Sequence, residues 1–224
     1  MGLGSNSSSS KIYLSVGFGK IRQKSLENKE KVNAQTPGAV KRLKQDKTET
    51  WAIEHDFVSG IIESLFYKED QQYGNSFEVV IVDGLDKFQL SFSEDSRFWF
   101  DFMKKLPNVE LKSVVKITAY DFTDKQNKRR AGISLEQNGN KILSFYEKKK
   151  EDQSWELLHG FPKADVDINW KDKDDVKAYS IKIKKFLRNE FMNKIQPLFE
   201  HSISVAEETN LDGMEPDPTD DLPF

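Results

Sequence analysis

The chain contains no cysteine, which excludes disulfides, thiolate metal sites and a cysteine nucleophile and is compatible with a reducing cytoplasm. Histidine is scarce too: only His55, His159 and His201 are present, and no two stand at helical or hairpin spacing. A zinc site is therefore not expected, and nothing calls for any other metal or cofactor. No apolar run approaches the roughly twenty residues of a membrane-spanning helix, and no hydrophobic signal segment opens the chain. The expectation is a soluble cytoplasmic protein with no membrane partner. Met1-Gly2-Leu3-Gly4-Ser5-Asn6 places Asn where a myristoylation signal needs Ser or Thr, so residues 1–10 read as a flexible leader.

Catalytic patterns are missing as well. Gly17-Phe18-Gly19-Lys20 lacks the rest of a phosphate-binding loop. Asp165-Val166-Asp167 and Asp172-Lys173-Asp174-Asp175 lack the glycine and terminal glutamate of a calcium loop, and read as loop charge and the first turn of a helix. An enzyme is not expected.

Charge, by contrast, is plentiful and segregated. The formal net charge is −3, yet residues 207–224 hold seven acidic residues and no Lys or Arg, so the rest of the chain is +4. Residues 11–47 hold ten Lys or Arg against three acidic residues, and residues 125–150 hold eight against two. Local cationic clusters of this kind contact phosphates even on an anionic protein, although they also serve simply as solvated surface.

Periodicity predicts the elements. Lys11 to Ile21 alternates as a half-buried strand with Ile12, Leu14, Val16 and Phe18 inward. Residues 22–47 read as a long basic loop. Thr50 to Glu69 is either two strands or one long strand bent at Gly60, where the missing Cβ permits a bulge. Phe77 to Val82 and Lys87 to Ser93 form a hairpin around Asp83-Gly84. A helix capped by Ser93 or Ser96 runs to Leu106, before Pro107. Strands follow at Lys112 to Phe122, Arg130 to Gln137 and Lys141 to Glu147, the last two joined by the hairpin signal Asn138-Gly139. From Asp174 or Asp175 to about Glu200 a helix carries an apolar face of Tyr179, Ile183, Phe186, Leu187, Phe191 and Ile195, with Pro197 a kink or an end. Whether that helix packs on its own domain or builds a homo-oligomer stays open. Residues 201–224 are polar, acidic and without packable periodicity, so disorder is expected.

The chain closes on Asp217-Pro218-Thr219-Asp220-Asp221-Leu222-Pro223-Phe224. Leucine and the terminal ring suit an apolar pocket, the terminal carboxylate suits an Arg or Lys, and the aspartates suit a basic rim. This tip resembles the acidic C-terminal tip of the single-stranded DNA-binding (SSB) family, which typically ends Asp-Asp-Ile/Leu-Pro-Phe. The element order of residues 50–147, with a helix between the third and fourth strands, is similar to the oligonucleotide-binding (OB) fold, a five-stranded Greek-key barrel. The resemblance implies a mainly β, α+β fold: an OB domain over residues 11–200 with an added C-terminal helix, then the tail 201–224. It implies single-stranded DNA as ligand and replication or recombination proteins as partners of Asp220, Asp221, Leu222, Pro223 and Phe224. The flanks of the barrel exceed the cellular proteins, which suggests a divergent, bacteriophage-encoded member acting in the host cytoplasm.

A single-strand groove needs stacking rings beside cations, because every base has a π face. The candidate rings are Tyr67, Tyr73, Tyr120, Phe122 and Tyr146, each lying in a loop or opposite an apolar strand face; the alternative for each is a ring covering a neighbouring strand or a protein interface. The candidate phosphate ligands are Lys41, Arg42, Lys44, Lys116, Lys128, Arg129, Arg130 and Lys148. Phe18, Phe57, Phe88, Phe92, Phe98 and Phe102 fall on apolar faces and are expected in the core. The other functional class that fits is a protein-interaction adaptor, not itself DNA-binding, whose tail competes for SSB partners.

Overall fold

The computed structural model describes residues 11–199, except 27, 45, 70–73 and 95. The leader, Tyr73 and the acidic tail with its tip lie outside the described residues.

The strands are β1 (Lys11–Gly17), β2 (Lys20–Gln23), β3 (Ala39–Leu43), β4 (Glu49–His55), β5 (Phe57–Lys68), β6 (Ser76–Asp83), β7 (Asp86–Ser93), β8 (Val114–Thr123), β9 (Arg129–Gln137), β10 (Asn140–Ile142), β11 (Glu147–Lys149) and β12 (Trp155–Leu157). The helices are α1 (Arg97–Lys105) and α2 (Lys173–Glu190). Ten strands form one mixed sheet in the order β10-β9-β8-β5-β6-β7-β1-β2-β4-β3, and β11-β12 form a separate hairpin. The fold is mainly β with few helices, as expected, and the sheet does not close.

Two edges explain why five strands do not close on themselves. The outer edge of β7 is taken by β1, the parallel neighbour in register Lys11↔Lys87 to Ser15↔Ser91. The edge of β9 beyond β10 is taken by α1. Asp101 accepts the Ile133 N–H at 2.7 Å, Lys105 donates to the Ile133 carbonyl, and the two side chains pair at 2.8 Å. A strand edge satisfied by side chains has no backbone groups left at that point for a further strand.

β5 is the pivot. Its N-terminal half pairs with β8 (Phe57↔Thr118 to Ile61↔Val114) and its C-terminal half with β6 (Ile61↔Val82 to Lys68↔Ser76), with a bulge between Ile62 and Ser64. Gly60, at φ +150, sits where the partners change. Both sequence readings of this stretch are partly right: Asp56 separates β4 from β5, and β5 bends at Gly60.

Ser96 caps α1 by accepting the Trp99 N–H at 3.1 Å, so the expected cap and helix are present. Spacing of three and four then turns Trp99, Phe102, Met103 and Leu106 inward, where all are buried. Phe102 stacks on Phe92 at 5.0 Å, and Phe77 receives Phe191 edge-on at 5.0 Å. α2 is capped by Asp172, and its expected apolar face packs through Leu187, Phe191 and Ile195. A π turn at Phe191–Ile195 precedes Pro197, and the helix runs on through that proline instead of ending there. Arg188 fastens α2 to the sheet, lying over Tyr67 at 4.7 Å and pairing with buried Glu94 at 3.6 Å.

Three local expectations need correction. Residues 11–21 are not one strand: Phe18 and Gly19, at φ 56 and 68, make a two-residue turn between β1 and β2. The basic loop contains the edge strand β3, whose mostly exposed residues give no apolar alternation to read. The strand after Asn138-Gly139 stops at Ile142, which leaves Tyr146 off that strand.

Candidate nucleic-acid interface

The β1–β2 turn swings under the sheet and docks on β8, so closely that a Cβ at Gly19 would strike the Asp121 backbone nitrogen. A cleft of about 670 Å³ opens beside this contact. Phe18 from the turn, Leu43, Lys44 and Asp46 from the end of β3, Phe98 from α1, and Asp121 and Arg129 from the β8–β9 hairpin line it. Phe18 is 40 % exposed, so one of the rings expected in the core is available to a ligand. The strand alternation that placed it inward ends at the residue where the backbone turns left-handed.

Of the phosphate ligands expected from sequence, the cleft gathers Lys44 and Arg129. Arg129 forks onto Asp121 at 2.6 and 2.8 Å, and this hydrogen bonding holds the Asp121 carboxyl below the ordinary aspartate range. Asp46 is likewise lowered, first by the hydroxyl and then by the backbone N–H of Thr48. The cleft lining alone thus carries two cations and two carboxylates.

The other expected residues lie elsewhere. Lys116, Tyr120, Phe122 and Arg130 share the opposite face of the β8–β9 pair, because alternate residues of a strand point to opposite sides. That outward face is the one read from sequence, with Val115, Ile117 and Ala119 turned inward and buried. Phe122 is 54 % exposed there, whereas the Tyr120 hydroxyl donates to Asp101 at 3.4 Å over the space left by Gly132. Lys116 lies 4.6 Å over the ring of Phe57, which is exposed rather than in the core. Arg130 pairs with Asp124 at 2.9 Å, and Lys128 is exposed in the hairpin turn. Lys41 pairs with Glu49, Arg42 forks onto Glu54 at 2.8 and 3.1 Å, and Lys148 sits on β11.

Two stacking candidates pack against the core instead of standing on the surface. Tyr146 is 2 % exposed, packed among Phe145, Phe161 and Phe186, and Tyr67 packs edge-on to Phe77 and Phe191 under Arg188. Burial pushes both phenols well above the ordinary tyrosine value. Tyr146 has no face to offer, and the partly buried Tyr67 ring is hemmed in by Phe77, Phe191 and Arg188. Their sequence positions, at the end of β5 and before a lysine run, look like surface, but both pack against α2 and the turn that follows it.

A second concavity crosses the outer side of β6, β7 and β1, lined by Ser15, Ser76, Ser91, Ser93, Lys24 and Lys68. Its floor is the buried carboxylate of Glu78, which accepts from Ser76 at 2.7 Å, Ser91 at 2.9 Å and Gln89 at 3.2 Å. With those hydroxyl protons spent on a carboxylate, the floor suits a phosphate less well than the Phe18 cleft does.

Among the described residues no cluster of His, Cys, Asp or Glu is placed to hold a metal ion, and no helix is long and apolar enough to cross a membrane. No protein-family model, curated protein or solved structure matches the chain. Its class is defined by its own architecture: a mainly β protein with one large mixed sheet that does not close, β1 occupying the edge of β7 and α1 that of β9.

Proposed function

We propose that this chain binds single-stranded DNA without sequence readout, protecting it during replication, recombination or repair, and that the tip Asp220-Asp221-Leu222-Pro223-Phe224 recruits partner proteins. The observation that carries this reading is the cleft in which the rings of Phe18 and Phe98 meet the cations Lys44 and Arg129. Rings supply stacking that any base satisfies, and cations supply the salt-dependent grip on phosphates. In this reading β5, β6, β7, β8 and β9 are the five OB strands, α1 is the helix between the third and fourth, and β1 to β4 are an addition on the open edge. The β8–β9 turn, which borders the cleft, then corresponds to one of the two loops with which that fold holds oligonucleotides.

Titration of fluorescent oligo-dT with the full chain tests the reading. Binding is expected to weaken steeply as salt rises, with a log–log slope of about −0.7 per phosphate contact. Salt-independent binding, or none, refutes it. Asp121→Asn is expected to bind the same oligonucleotide several-fold tighter, because it removes a carboxylate from the cleft and releases the Arg129 fork. Unchanged or weaker binding by a folded Asp121→Asn protein would place the strand elsewhere.

The adaptor reading draws on a different surface. Phe57, Ile61, Val114 and Phe122 expose apolar side chains along the outer face of β5 and β8, and such a row suits a protein partner. Failure of oligo-dT to bind at low salt favours it.

A further inference from the structure

The cleft lining is electrically balanced, so the positive charge that a nucleic-acid ligand needs must come from behind it. Arg22, across from Glu54 in the β2–β4 register, has only 3 % of its side chain exposed. Its Nε lies 3.3 Å from a Glu54 oxygen, while both Glu54 oxygens already accept the Arg42 fork. Arg22 Nη2 is buried and meets no hydrogen-bond acceptor among the described residues. Two guanidinium groups therefore share one carboxylate that is itself only 8 % exposed. The nearby acid Asp56 is engaged by Lys20 at 2.6 Å.

A surplus buried cation is destabilising unless an anion answers it. Burial lowers the Arg22 pKa, and Arg42 adds to that depression, but an arginine does not shed its proton near neutral pH. The charge stays. Arg22 also lies 5.0 Å from the ring of Phe18, the same ring that lines the cleft, and Lys44 lines the cleft from the end of the strand that carries Arg42. The surplus thus sits directly behind a stacking ring and beside two accessible cations.

Building on the single-strand reading, we infer that Arg22, Arg42 and Lys44 form a phosphate seat: one phosphodiester group of the bound strand takes donors from Arg42 and Lys44, with Arg22 as the fixed charge behind them and Glu54 as the internal counter-ion it competes with. The base attached to that phosphate then lies on Phe18. In the free protein Glu54 offsets only part of the repulsion between the two arginines, and the incoming phosphate supplies the second negative charge.

The seat is tested on the full chain with two probes, oligo-dT and inorganic phosphate. Arg42→Gln and Lys44→Gln, both at accessible positions, are each expected to flatten the salt slope of oligo-dT binding by about 0.7. Glu54→Gln is expected to tighten binding. Phosphate is expected to raise the Tm of the wild type above that in chloride at equal ionic strength, and to lose this effect in the Arg42→Gln Lys44→Gln double variant. Should Glu54→Gln fail to fold, the two slope changes and the phosphate effect decide alone. Oligo-dT binding whose slope is indifferent to Arg42 and Lys44 overturns the seat and leaves the single-strand reading standing. A phosphate effect that depends on Arg42 without any oligo-dT binding keeps the seat as a small-anion site and overturns that reading. Loss of both signals overturns both.

Discussion

Gly60→Val is expected to cost about 2–6 kcal/mol, combining backbone strain with overpacking. The site leaves no relief in either respect. At φ +150 the backbone adopts a conformation that side-chain-bearing residues rarely accept, and a Cβ built there lies 2.5 Å from the Val82 carbonyl oxygen and 2.7 Å from Ile81 Cγ2. The oxygen belongs to the β6 ladder, so the clash cannot be answered by a rotamer change. β5 would have to give up its bend, and with it the passage from β8 to β6 on which the continuity of the sheet depends. Gly84→Ala is the control: its φ is also positive, at +60, but nothing lies within 4 Å of the added carbon, and the cost should be about 1 kcal/mol. Against a total stability of about 5–15 kcal/mol, the first substitution removes a large share and the second does not. Urea denaturation distinguishes them by midpoint at constant m-value. A Gly60→Val midpoint no lower than that of Gly84→Ala would mean that the bend is not a structural necessity.

Gly60 also illustrates which parts of the fold were legible in the sequence. Features written in a few adjacent residues came through: the Ser96 cap of α1, the Asn138-Gly139 turn at φ 51 and 75, and the three-and-four spacing of α2. Features decided by distant residues did not. The hairpin turn at Phe18-Gly19 lies inside an unbroken alternation, and only its docking against Asp121 shows why the chain reverses there. The strand β3 owes its existence to pairing with β4, in register from Ala39↔Ile53 to Leu43↔Glu49, not to a buried face of its own. Barrel closure, expected from element order, depends on which edges remain unpaired. β1 and the Asp101–Lys105 pair decide that from outside the five strands concerned.

The candidate site follows the same rule. Composition marks the regions that hold Lys44 and Arg129, because a charge cluster is a local property of sequence. It could not show which cations carry a carboxylate partner. Arg42, Arg129 and Arg130 all do, and the acids concerned, Glu54, Asp121 and Asp124, come from the facing strand or the adjoining turn. The exposure of the rings departs from expectation for a related reason. Tyr67 and Tyr146 pack against α2 and the turn that follows it, which join the sheet late in the chain, whereas Phe18 escapes burial because it is itself the first residue of the β1–β2 turn.

The Phe18→Leu Phe98→Leu double variant should lose most single-strand affinity while keeping its fold. Leucine preserves apolar bulk at both positions but offers no π face, so the substitution isolates stacking from packing. This matters at Phe98, which is half-buried against the core. Each lost stack is worth about 1–3 kcal/mol, and since about 1.4 kcal/mol is tenfold in affinity, the pair should weaken oligo-dT binding on the order of a hundredfold or more. The salt slope should hardly move, because no cation has been removed; Arg42→Gln and Lys44→Gln should show the opposite pattern. Tyr67→Leu and Tyr146→Leu, at rings packed against the core, should leave the binding of the folded variants unchanged. Affinities come from anisotropy of a labelled oligo-dT at fixed salt, with urea midpoints confirming that each variant is folded. A folded double variant that binds like the wild type would remove Phe18 and Phe98 from the interface. A loss confined to the two tyrosine variants would move the stacking platform to the side of the sheet that α2 covers.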